Sequence, residues 1–476
     1  MRKRFLSLCL LMGVIVVHSQ EVKVAPDTLN TSLVGLVEAA IDYSKTLKNQ
    51  QLELDKLGIT QKQIYHTYIP KIEAGGTYAY SKGQLNLDTD PIPFMFPGTT
   101  LPIPGMGPVT FPPMEMAIPG INTSMDYSGS LWMGGLTAKW TLFTGLKVPN
   151  LGKAMEHKIK ATEYLVSQSE ADIIEQVAYY YDMVALLAQS KKVIDESEKR
   201  LERESAVAQK ALSEGLITQH KYQKIEIARL TLASKQIEYN GKRQLLHLKL
   251  QQLTGLSLSS IEQISVELKA MNGFAQEGSY LNRPEIKALD EAIVAGEYKL
   301  KSESSGYLPK VQAFASHQYA GFRNGDLGSV SFNEVSAYPM NVVGVGFKWE
   351  LFDGFHTQNE RKKAKIDIMQ TQNKRTEASE MLMLNYSNTL NNYQVSTAQE
   401  SLRRRQQETA KKSMQISYRE YQNGLLEVSE FLEAQTDYET SVLEYYQTVF
   451  EQRQSVIRLM NAIGELNLLT IQTVVK

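Results

Sequence analysis

The chain has 476 residues, of which 42% are hydrophobic and 22% charged, with a formal net charge of −1 and one cysteine. The near-neutral charge argues against a nucleic-acid-binding protein, and one cysteine excludes an internal disulfide and a thiolate metal site. The sequence has no nucleotide-binding loop and no His-x-x-x-His pair, and its seven histidines are scattered. We therefore expect no enzyme, no cofactor, no bound metal and no nucleic-acid partner.

The N-terminus has the pattern of a secretory signal peptide. A basic head at residues 1–4 precedes an apolar run at 5–17, and the small residue Ser19 follows. The run is too short to span a membrane comfortably, and Cys9 lies inside it, which argues against lipid attachment at the first mature residue. We predict removal of residues 1–19, which changes the net charge to −4 and leaves no cysteine. No other stretch approaches the length of a transmembrane helix.

The second half of the sequence repeats the first. Three motifs recur at one offset of 209 positions, which indicates a duplicated supersecondary unit. A fourth motif, Tyr-x-Pro-Lys starting at Tyr68, returns at Tyr307, 239 positions later, so the first copy carries 30 extra residues. The three motifs are Trp-x-Leu-Phe-x-Gly at 140–145 and 349–354, Gly215-Leu216 and Gly424-Leu425, and Gly255 and Gly464.

Each half contains two strand-like runs, which we predict at about 71–81, 129–143, 310–320 and 341–352. The last run is the clearest, because apolar residues from Val343 to Leu351 alternate with smaller or more polar ones. Alternation over about ten residues that ends in aromatic side chains is typical of a lipid-facing barrel strand. A half-buried strand of a soluble sheet gives the same pattern, so the strands alone leave both interpretations open.

The extra segment of the first half, residues 90–120, holds nine of the chain's 15 prolines. Because proline interrupts helices and sheet ladders, we expect an extended external loop with little regular structure. It also holds four methionines, Met95, Met106, Met114 and Met116. Thioethers suit copper(I), but the spacing shows no repeated motif, and we favour apolar packing of the loop over a metal site.

The remaining sequence is predicted to be helical. Residues 152–212 contain no interior glycine or proline, and such a helix is about 90 Å long. The counterpart at 356–422 is more polar on all sides, which indicates a helix that is exposed to solvent on more than one face. Shorter helices are expected at 29–68, 218–252, 284–307 and 428–462. In the first long helix a heptad series indicates a coiled-coil seam: Ile173, Tyr180, Leu187, Ile194, Leu201 and Ala208, with Val177 and Val184 at the offset positions.

Each half is thus helix, strand, strand, long helix, Gly-Leu turn and helix. Four strands cannot close a barrel, and lipid tolerates no open sheet edge. Membrane strands would therefore have to be shared between chains, and three chains give twelve strands. Two alternatives remain: a secreted or periplasmic coiled-coil scaffold without a membrane barrel, which is extracted without detergent, and a periplasmic hydrolase, which the absence of a catalytic pattern disfavours.

The duplicated order, the two Trp-x-Leu-Phe-x-Gly motifs and the two Gly-Leu turns resemble the TolC-like outer-membrane efflux channel family. The resemblance covers the mature chain as two repeats, 20–281 and 282–476, after a signal peptide at 1–19. It implies a mixed α and transmembrane-β fold, in which a homotrimer shares a twelve-stranded barrel in outer-membrane lipid and extends a coiled-coil α-helical tunnel into the periplasm of a Gram-negative bacterium. It also implies a passive exit duct that works with a periplasmic adaptor and an inner-membrane pump in efflux or type I secretion.

The resemblance further assigns roles to single residues. The helical-hairpin tips that meet the adaptor correspond to Gly215, Leu216, Gly424 and Leu425. The periplasmic gate corresponds to Tyr421, Glu430 and Glu433. Two positions depart from the family, because its gate Arg and Asp fall at Leu426 and Lys221 here, so we place Lys221 or Lys224 opposite Glu430 or Glu433 as a hypothesis. The alternative is that the two glutamates are ordinary surface acids near a helix N-terminus. Drugs, metal ions and secreted proteins all leave through such ducts, so the cargo stays open.

Overall fold

The computed structural model describes residues 32–103, 107–271, 278–324 and 338–474. The predicted signal peptide, residues 1–19, lies outside these ranges. The described chain forms two compact units, one built from 46–168 and 279–384 and the other from the rest. Each unit takes segments from both halves of the sequence, so the units cut across the predicted repeats. The unit of 46–168 and 279–384 contains the sheet.

The elements follow the predicted order in each half. The first half contains α1 (Leu33–Tyr43), α2 (Lys45–Tyr65), β1 (Lys71–Asp88), β2 (Ile92–Phe96), β3 (Thr99–Ile103), β4 (Gly107–Phe111), β5 (Met114–Ile118), β6 (Asn122–Phe143), α3 (Lys147–Ser213), α4 (Gln219–Thr254) and α5 (Leu258–Glu262). The second half contains α6 (Pro284–Glu303), β7 (Lys310–Asn324), β8 (Tyr338–Lys348), α7 (His356–Gln422), α8 (Val428–Ala462) and α9 (Leu468–Val474). In the described residues, no helix is both long and apolar enough to cross a membrane.

The main sheet has four antiparallel strands in the order β1-β6-β7-β8. The central pair, β6 and β7, joins the two halves, and β1 and β8 are the edges. The prediction that the last strand continues to residue 352 is wrong, because β8 ends at Lys348. Its partner β7 begins at Lys310, which lies opposite Lys348, so residues beyond it have no strand to pair with. In the first half the equivalent stretch is paired, and β6 continues to Phe143.

Each strand pair has a tryptophan anchored to the short 3₁₀ turn that precedes its first strand, His66–Tyr68 in the first half and Ser304–Tyr307 in the second. The indole N–H of Trp140 donates to the carbonyl of Tyr68 at 2.8 Å, and that of Trp349 donates to the carbonyl of Tyr307 at 3.2 Å. The two rings are 48% and 56% exposed. An aromatic ring with a bonded polar edge and an exposed face suits the boundary between water and an apolar phase.

The expectation of an irregular loop at 90–120 is wrong. Its described residues form a ribbon of two antiparallel strand pairs, with β2 paired to β5 and β3 paired to β4. Both strands of a two-stranded ribbon are edges, so a proline N without hydrogen can point outward and break no ladder bond. Pro102 and Pro108, for example, lie directly opposite each other.

The described methionines of this ribbon lie on two faces. Met114 and Met116 are two residues apart and share one face, whereas Met95, which lies opposite Glu115, is on the other face. Met106 lies outside the described residues. Within the described ranges no group of three or more His, Cys, Asp or Glu side chains is arranged to hold a metal ion.

The helical unit has its main core where α1, α3 and α8 meet. Val37, Val177 and Val456 are fully buried there. The predicted heptad series matches burial in the distal half of α3, where Ile194, Leu201 and Ala208 are buried. Nearer the core the series is shifted by one residue.

In the part of α3 nearer the core, Ile174 and Tyr181 are buried, whereas Ile173 and Tyr180 are only partly buried and pack against the core. Two causes contribute to this shift of the buried positions by one residue. A helix of 3.6 residues per turn drifts against a seven-residue repeat, and α3 is covered on several sides at this level.

The duplication is visible in the backbone itself. Left-handed φ angles occur at pairs of positions that are 209 residues apart. Two of these positions are not glycine, and they mark the same turn into the long helix in each half. The pairs are Gly145 and Gly354, Leu146 and Phe355, Gly215 and Gly424, and Gly255 and Gly464. The offset therefore relates α3 to α7 and α4 to α8 residue by residue.

Candidate functional site at the hairpin tips

The helical hairpins α3–α4 and α7–α8 each reverse at a glycine in the left-handed conformation. The φ angle is +72° at Gly215 and +73° at Gly424. The amide of the following leucine donates to the carbonyl five residues earlier, at 2.8 Å in both turns. This pattern satisfies helix carbonyls that would otherwise face solvent alone. Both predicted Gly-Leu tips are therefore tight helix-terminating turns.

Each tip presents an exposed leucine. Leu216 is 72% and Leu425 is 78% exposed. A Cβ atom added at Gly215 or Gly424 would meet no atom within 4 Å, so only the backbone angle demands glycine there. The two turns thus expose an apolar side chain on a fixed backbone, which a partner protein can contact.

The helices restart with two different caps. Thr218 caps α4 by accepting the backbone N–H of Lys221 at 3.3 Å. At α8, Glu427 and Glu430 form a reciprocal capping box, in which the N–H of Glu427 donates to Glu430 Oε2 at 3.2 Å. Glu430 thus caps the N-terminus of α8. This is the position that the alternative interpretation expects, in which Glu430 is a surface acid near a helix N-terminus. Glu433 follows one turn later and is exposed.

Within one copy, the partner of Lys221 is neither of the two glutamates expected, because its Nζ lies 3.0 Å from the carboxylate of Glu427. The alternative lysine of the hypothesis, Lys224, stays a prediction. Glu427 is the N-cap of α8, so the contact links the start of α4 to the start of α8. Both side chains are largely exposed, and a pair in this setting contributes at most about 1 kcal/mol.

Tyr421 lies one turn before the second tip and joins three helices. Its ring stacks on Phe431 of α8, with centroids 5.2 Å apart and an angle of 8° between the planes. Phe431 is fully buried. The Tyr421 hydroxyl lies beside the carboxylate of Glu204 on α3, close enough to lower the pKa of that carboxyl.

The electrostatics of this pair follow from burial. Burial raises the pKa of the Glu204 carboxyl, and the hydrogen bond from Tyr421 and the charges of Arg203 and Arg200 act against the rise. Burial also raises the pKa of Tyr421, as does the neighbouring Glu204. Leaving a buried carboxylate without its donor would cost more than the hydrogen bond itself contributes.

An apolar cluster packs the two hairpins together beside this pair. Ala208 of α3, Ile225 of α4 and Val428 of α8 are buried in it, and Ile217 and Leu432 pack against them. The cluster, the Glu204–Tyr421 contact and the Lys221–Glu427 contact all connect the first hairpin to the second. The tips of one chain therefore form a single packed end.

Comparison with known proteins identifies the family. The model of the outer membrane efflux protein family matches residues 36–256 and 279–465, most of the chain. The chain belongs to the outer membrane efflux protein family. No curated protein sequence matches it.

Solved structures of similar fold include two outer-membrane channels, OprN and CmeC, and the outer membrane protein VceC. OprN superposes with a TM-score of 0.70 at 14% identity, covering 92% of this chain and 90% of the other. CmeC of Campylobacter jejuni gives 0.67 at 14%, with 93% and 88% covered. VceC of Vibrio cholerae gives 0.69 at 14%, with 91% and 96% covered.

Membership of the outer membrane efflux protein family gives the place and the role of the chain. It is an outer-membrane exit duct in a Gram-negative bacterium, with a large helical part in the periplasm. The family consists of channels and not of enzymes.

Sequence reasoning named Tyr421 and both tips of this efflux protein but did not name Glu204 and Glu427, which contact Tyr421 and Lys221. Glu204 lies three residues after the seam residue Leu201, so its position on the buried side of α3 could have been inferred from the heptads. Glu427 could have been inferred from Glu430, because an acidic residue three positions before a first-turn glutamate suits a capping box.

Proposed function

We propose that three copies of this chain share one twelve-stranded barrel and form a passive duct. The observation that carries the proposal is the four-stranded sheet with two unpaired edges, β1 and β8. An unpaired edge in lipid leaves backbone N–H and C=O groups without partners, so the edges must meet other copies. Twelve strands lie within the range of outer-membrane barrels.

The order of elements supports a duplicated architecture of residues 20–281 and 282–476 within each copy. The left-handed turns recur at one offset, and the tryptophan anchors at the two strand ends correspond. Each repeat then supplies two strands and one helical hairpin, and three copies supply twelve strands and six hairpins.

The tips are proposed to contact a periplasmic adaptor, through which the duct works with an inner-membrane pump. This assignment is supported by the exposed Leu216 and Leu425 on glycine turns. An exposed apolar side chain held on a rigid turn suits a small protein interface, because little conformational entropy is lost on binding.

The periplasmic gate is proposed to lie at the same end, with Tyr421, Glu430 and Glu433. Its support is that Tyr421 bridges α3, α7 and α8, and that both glutamates are exposed on the first turns of α8. The uncharged Leu426 stands where the family has its gate Arg, and Lys221 stands where it has an Asp. The contacts at this end therefore differ, and they pair Tyr421 with Glu204 and Lys221 with Glu427.

Fractionation tests this function against a soluble scaffold. The duct is expected in the outer-membrane fraction, resistant to salt and alkaline washes and released only by detergent. Recovery of the mature chain in the soluble periplasmic fraction would favour the coiled-coil scaffold. A matched control is a chain whose strands β7 and β8 are deleted, which should lose membrane association.

A further inference from the structure

Lysines lie directly opposite each other at two places in the main sheet. Lys71 of β1 pairs with Lys139 of β6, and Lys310 of β7 pairs with Lys348 of β8. All four side chains are exposed. Directly opposite residues are about 5 Å apart at their Cα atoms, and like charges in this arrangement destabilise a sheet. The two lysine pairs therefore cost stability unless negative charge lies beside them.

The arrangement occurs once in each half of the chain. Lys71 and Lys310 end the two copies of the Tyr-x-Pro-Lys motif, and Lys139 and Lys348 directly precede the tryptophans of the two Trp-x-Leu-Phe-x-Gly motifs. The lysines stand at the end of the sheet that leads into the helices, because β1 and β7 begin there and β6 and β8 end there. The two lysine pairs are therefore two copies of one feature.

The first pair has an acid beside it that the second pair lacks. Nζ of Lys139 lies 2.9 Å from Oε2 of Glu73. At the offset of 239 positions, Glu73 corresponds to Gln312, which is neutral. The second pair therefore lacks the strand residue that partly neutralises the first.

All four lysines lie on one face of the sheet. Successive residues of a strand point to opposite faces, and paired residues share a face. Phe314 pairs with Lys139 and lies four residues from Lys310, so the two lysine pairs share a face. In the proposed barrel the other face meets lipid and the lysines line the lumen, because the residues next to the lysines are apolar and exposed: Ile72, Trp140 and Phe347.

The lysine face carries little other charge. Within the described strands of the main sheet, Glu73 is its only further charged residue. Four lysines and one glutamate give a charge of +3 per copy and +9 for three copies. The face is therefore basic, and its charge is gathered at one end of the strands. The charged residues of the opposite face are Lys82, Asp88, Asp126 and Arg323.

A recess of about 270 Å³ opens beside the second lysine pair. Lys310 and Lys348 line it together with a third lysine, Lys147, and with Ser305 and Thr357. Amines and hydroxyls are hydrogen-bond donors that suit an oxyanion. The recess is also lined by four acids, Glu303, Glu350, Asp353 and Glu360.

Two of these acids have partners of their own. Asp353 Oδ2 accepts the backbone N–H of Thr357 at 2.8 Å, and the carboxylate of Glu360 lies 2.9 Å from Nζ of Lys363. The other two acids stand against three lysines. The recess therefore keeps a surplus of lysine for a ligand of negative charge.

We propose that the lysine pairs bind solutes that carry phosphate or similar multiply charged anionic groups as these pass through the barrel. Lysine is a frequent phosphate ligand, and rings of lysine or arginine line pores that pass anions. A bound anion between opposite lysines offsets the repulsion between them. The inference rests on the proposed duct and names the class of cargo that the duct favours.

Block of single channels by tripolyphosphate tests the site. The proposed gate is the narrow end and sets the selectivity for small ions, so block is the sharper readout. In planar bilayers of neutral lipid, tripolyphosphate on the side opposite the tips should block the wild-type channel. Lys310→Gln with Lys348→Gln should need about tenfold more tripolyphosphate for half block, because each copy loses two charged hydrogen-bond donors.

Two variants are matched controls for this double variant. Lys82→Gln removes an exposed lysine from the other face of the same sheet and should leave block unchanged. Lys310→Arg with Lys348→Arg keeps the charge and should keep block. If the double glutamine variant does not insert, Lys348→Gln alone replaces it and should need an intermediate concentration.

Phosphate groups also come from lipid headgroups, and a second bilayer separates the two sources. With the lysines in the lumen, block should persist in bilayers that contain an anionic phospholipid. Block that disappears in the anionic bilayer would place the lysines among headgroups and overturn the lumen site.

Thermal stability in detergent gives a readout without a membrane. At equal ionic strength, tripolyphosphate should raise the dissociation temperature of the wild-type oligomer more than chloride does, because a ligand of the folded state stabilises it. The rise should be lost in Lys310→Gln with Lys348→Gln. An equal rise in both proteins would overturn binding at these lysines.

Failure of the duct and failure of this site give different results. A chain that forms neither an oligomer nor a channel removes both. A conducting channel with equal block in wild type and in the double glutamine variant overturns the anion site and leaves the duct intact. Loss of block in Lys82→Gln would overturn the assignment of the lysine pairs to the lumen.

Discussion

The hydroxyl of Tyr421 lies beside the buried carboxylate of Glu204, and this contact links α7 to α3 beside both Gly-Leu turns. The ring of Tyr421 is held at the same time by stacking on Phe431. One side chain therefore couples the two hairpins at the end where the gate and the adaptor contact are proposed.

We expect the stability of this end to depend on pH through Glu204. Burial raises the carboxyl pKa above its ordinary value of 4.5, so the folded state binds the proton more tightly than the unfolded state. The stability contribution is fully present below the ordinary value and falls as pH rises through the raised pKa. Hydrogen exchange of the amides in 200–215 and 416–431, corrected for intrinsic rates, should show weaker protection at pH 7 than near the ordinary carboxyl range.

Glu204→Gln is the matched test of that origin. Glutamine keeps an acceptor for Tyr421 and cannot ionise, so protection should become flatter with pH. Glu202→Gln, at an exposed position on the same helix, should keep the wild-type dependence. Equal pH dependence in wild type and Glu204→Gln would show that another group is responsible.

The repeat, the element order and the tips were predictable because they depend on local signals. Glycine at a left-handed turn, proline in a first helical turn and the 209-residue offset need no knowledge of tertiary contacts. The partner of Lys221 was not predictable in this way. Which acid it meets depends on the packing of two hairpins that are far apart in sequence, and helix spacing alone does not give this packing.

The ribbon at 92–118 shows a second kind of failure. Proline density predicted an irregular loop, but a two-stranded ribbon tolerates proline at outward-facing positions. The predicted end of β8 at residue 352 was wrong for a related reason. Alternation from Val343 to Leu351 describes a sequence able to form a strand, but pairing requires a neighbour, which β7 does not provide beyond Lys348.

Valine at either tip glycine should weaken adaptor contact and leave barrel insertion intact. A β-branched residue with positive φ costs about 1–2 kcal/mol or more, and no side chain crowds either position. Gly215→Val and Gly424→Val should reduce export and cross-linking to the adaptor. Gly215→Asn and Gly424→Asn are the controls, because asparagine adopts left-handed angles more readily. Wild-type export in both valine variants would show that the adaptor contacts the protein at another place.

The proposed gate predicts a preference for cations. Three copies would place six carboxylates, from Glu430 and Glu433, around the narrow end, and rings of acids attract cations. Planar-bilayer recordings should show cation selectivity and block by polyvalent cations from the periplasmic side. Both effects should weaken in Glu430→Gln with Glu433→Gln, but not in Glu408→Gln, at an exposed position on α7. Unchanged selectivity in the double variant would leave Glu430 only its capping role.

Removing the ribbon at 90–120 should leave assembly and export largely intact. Thr89 and Ile121 already face each other, with Thr89 N donating to Ile121 O at 2.9 Å, so an Asn-Gly turn can join them. Loop closure changes of this size cost about 1 kcal/mol or less. The shortened protein should extract as the same oligomer as the parent. Loss of that oligomer would make the ribbon part of the assembly.

The most direct test of the account is the native mass of the mature chain extracted in mild detergent. Two open sheet edges per copy and four strands per chain predict a particle with three times the mass of one chain, stable on dilution. A stable monomer in detergent would contradict the shared barrel, and with it the duct.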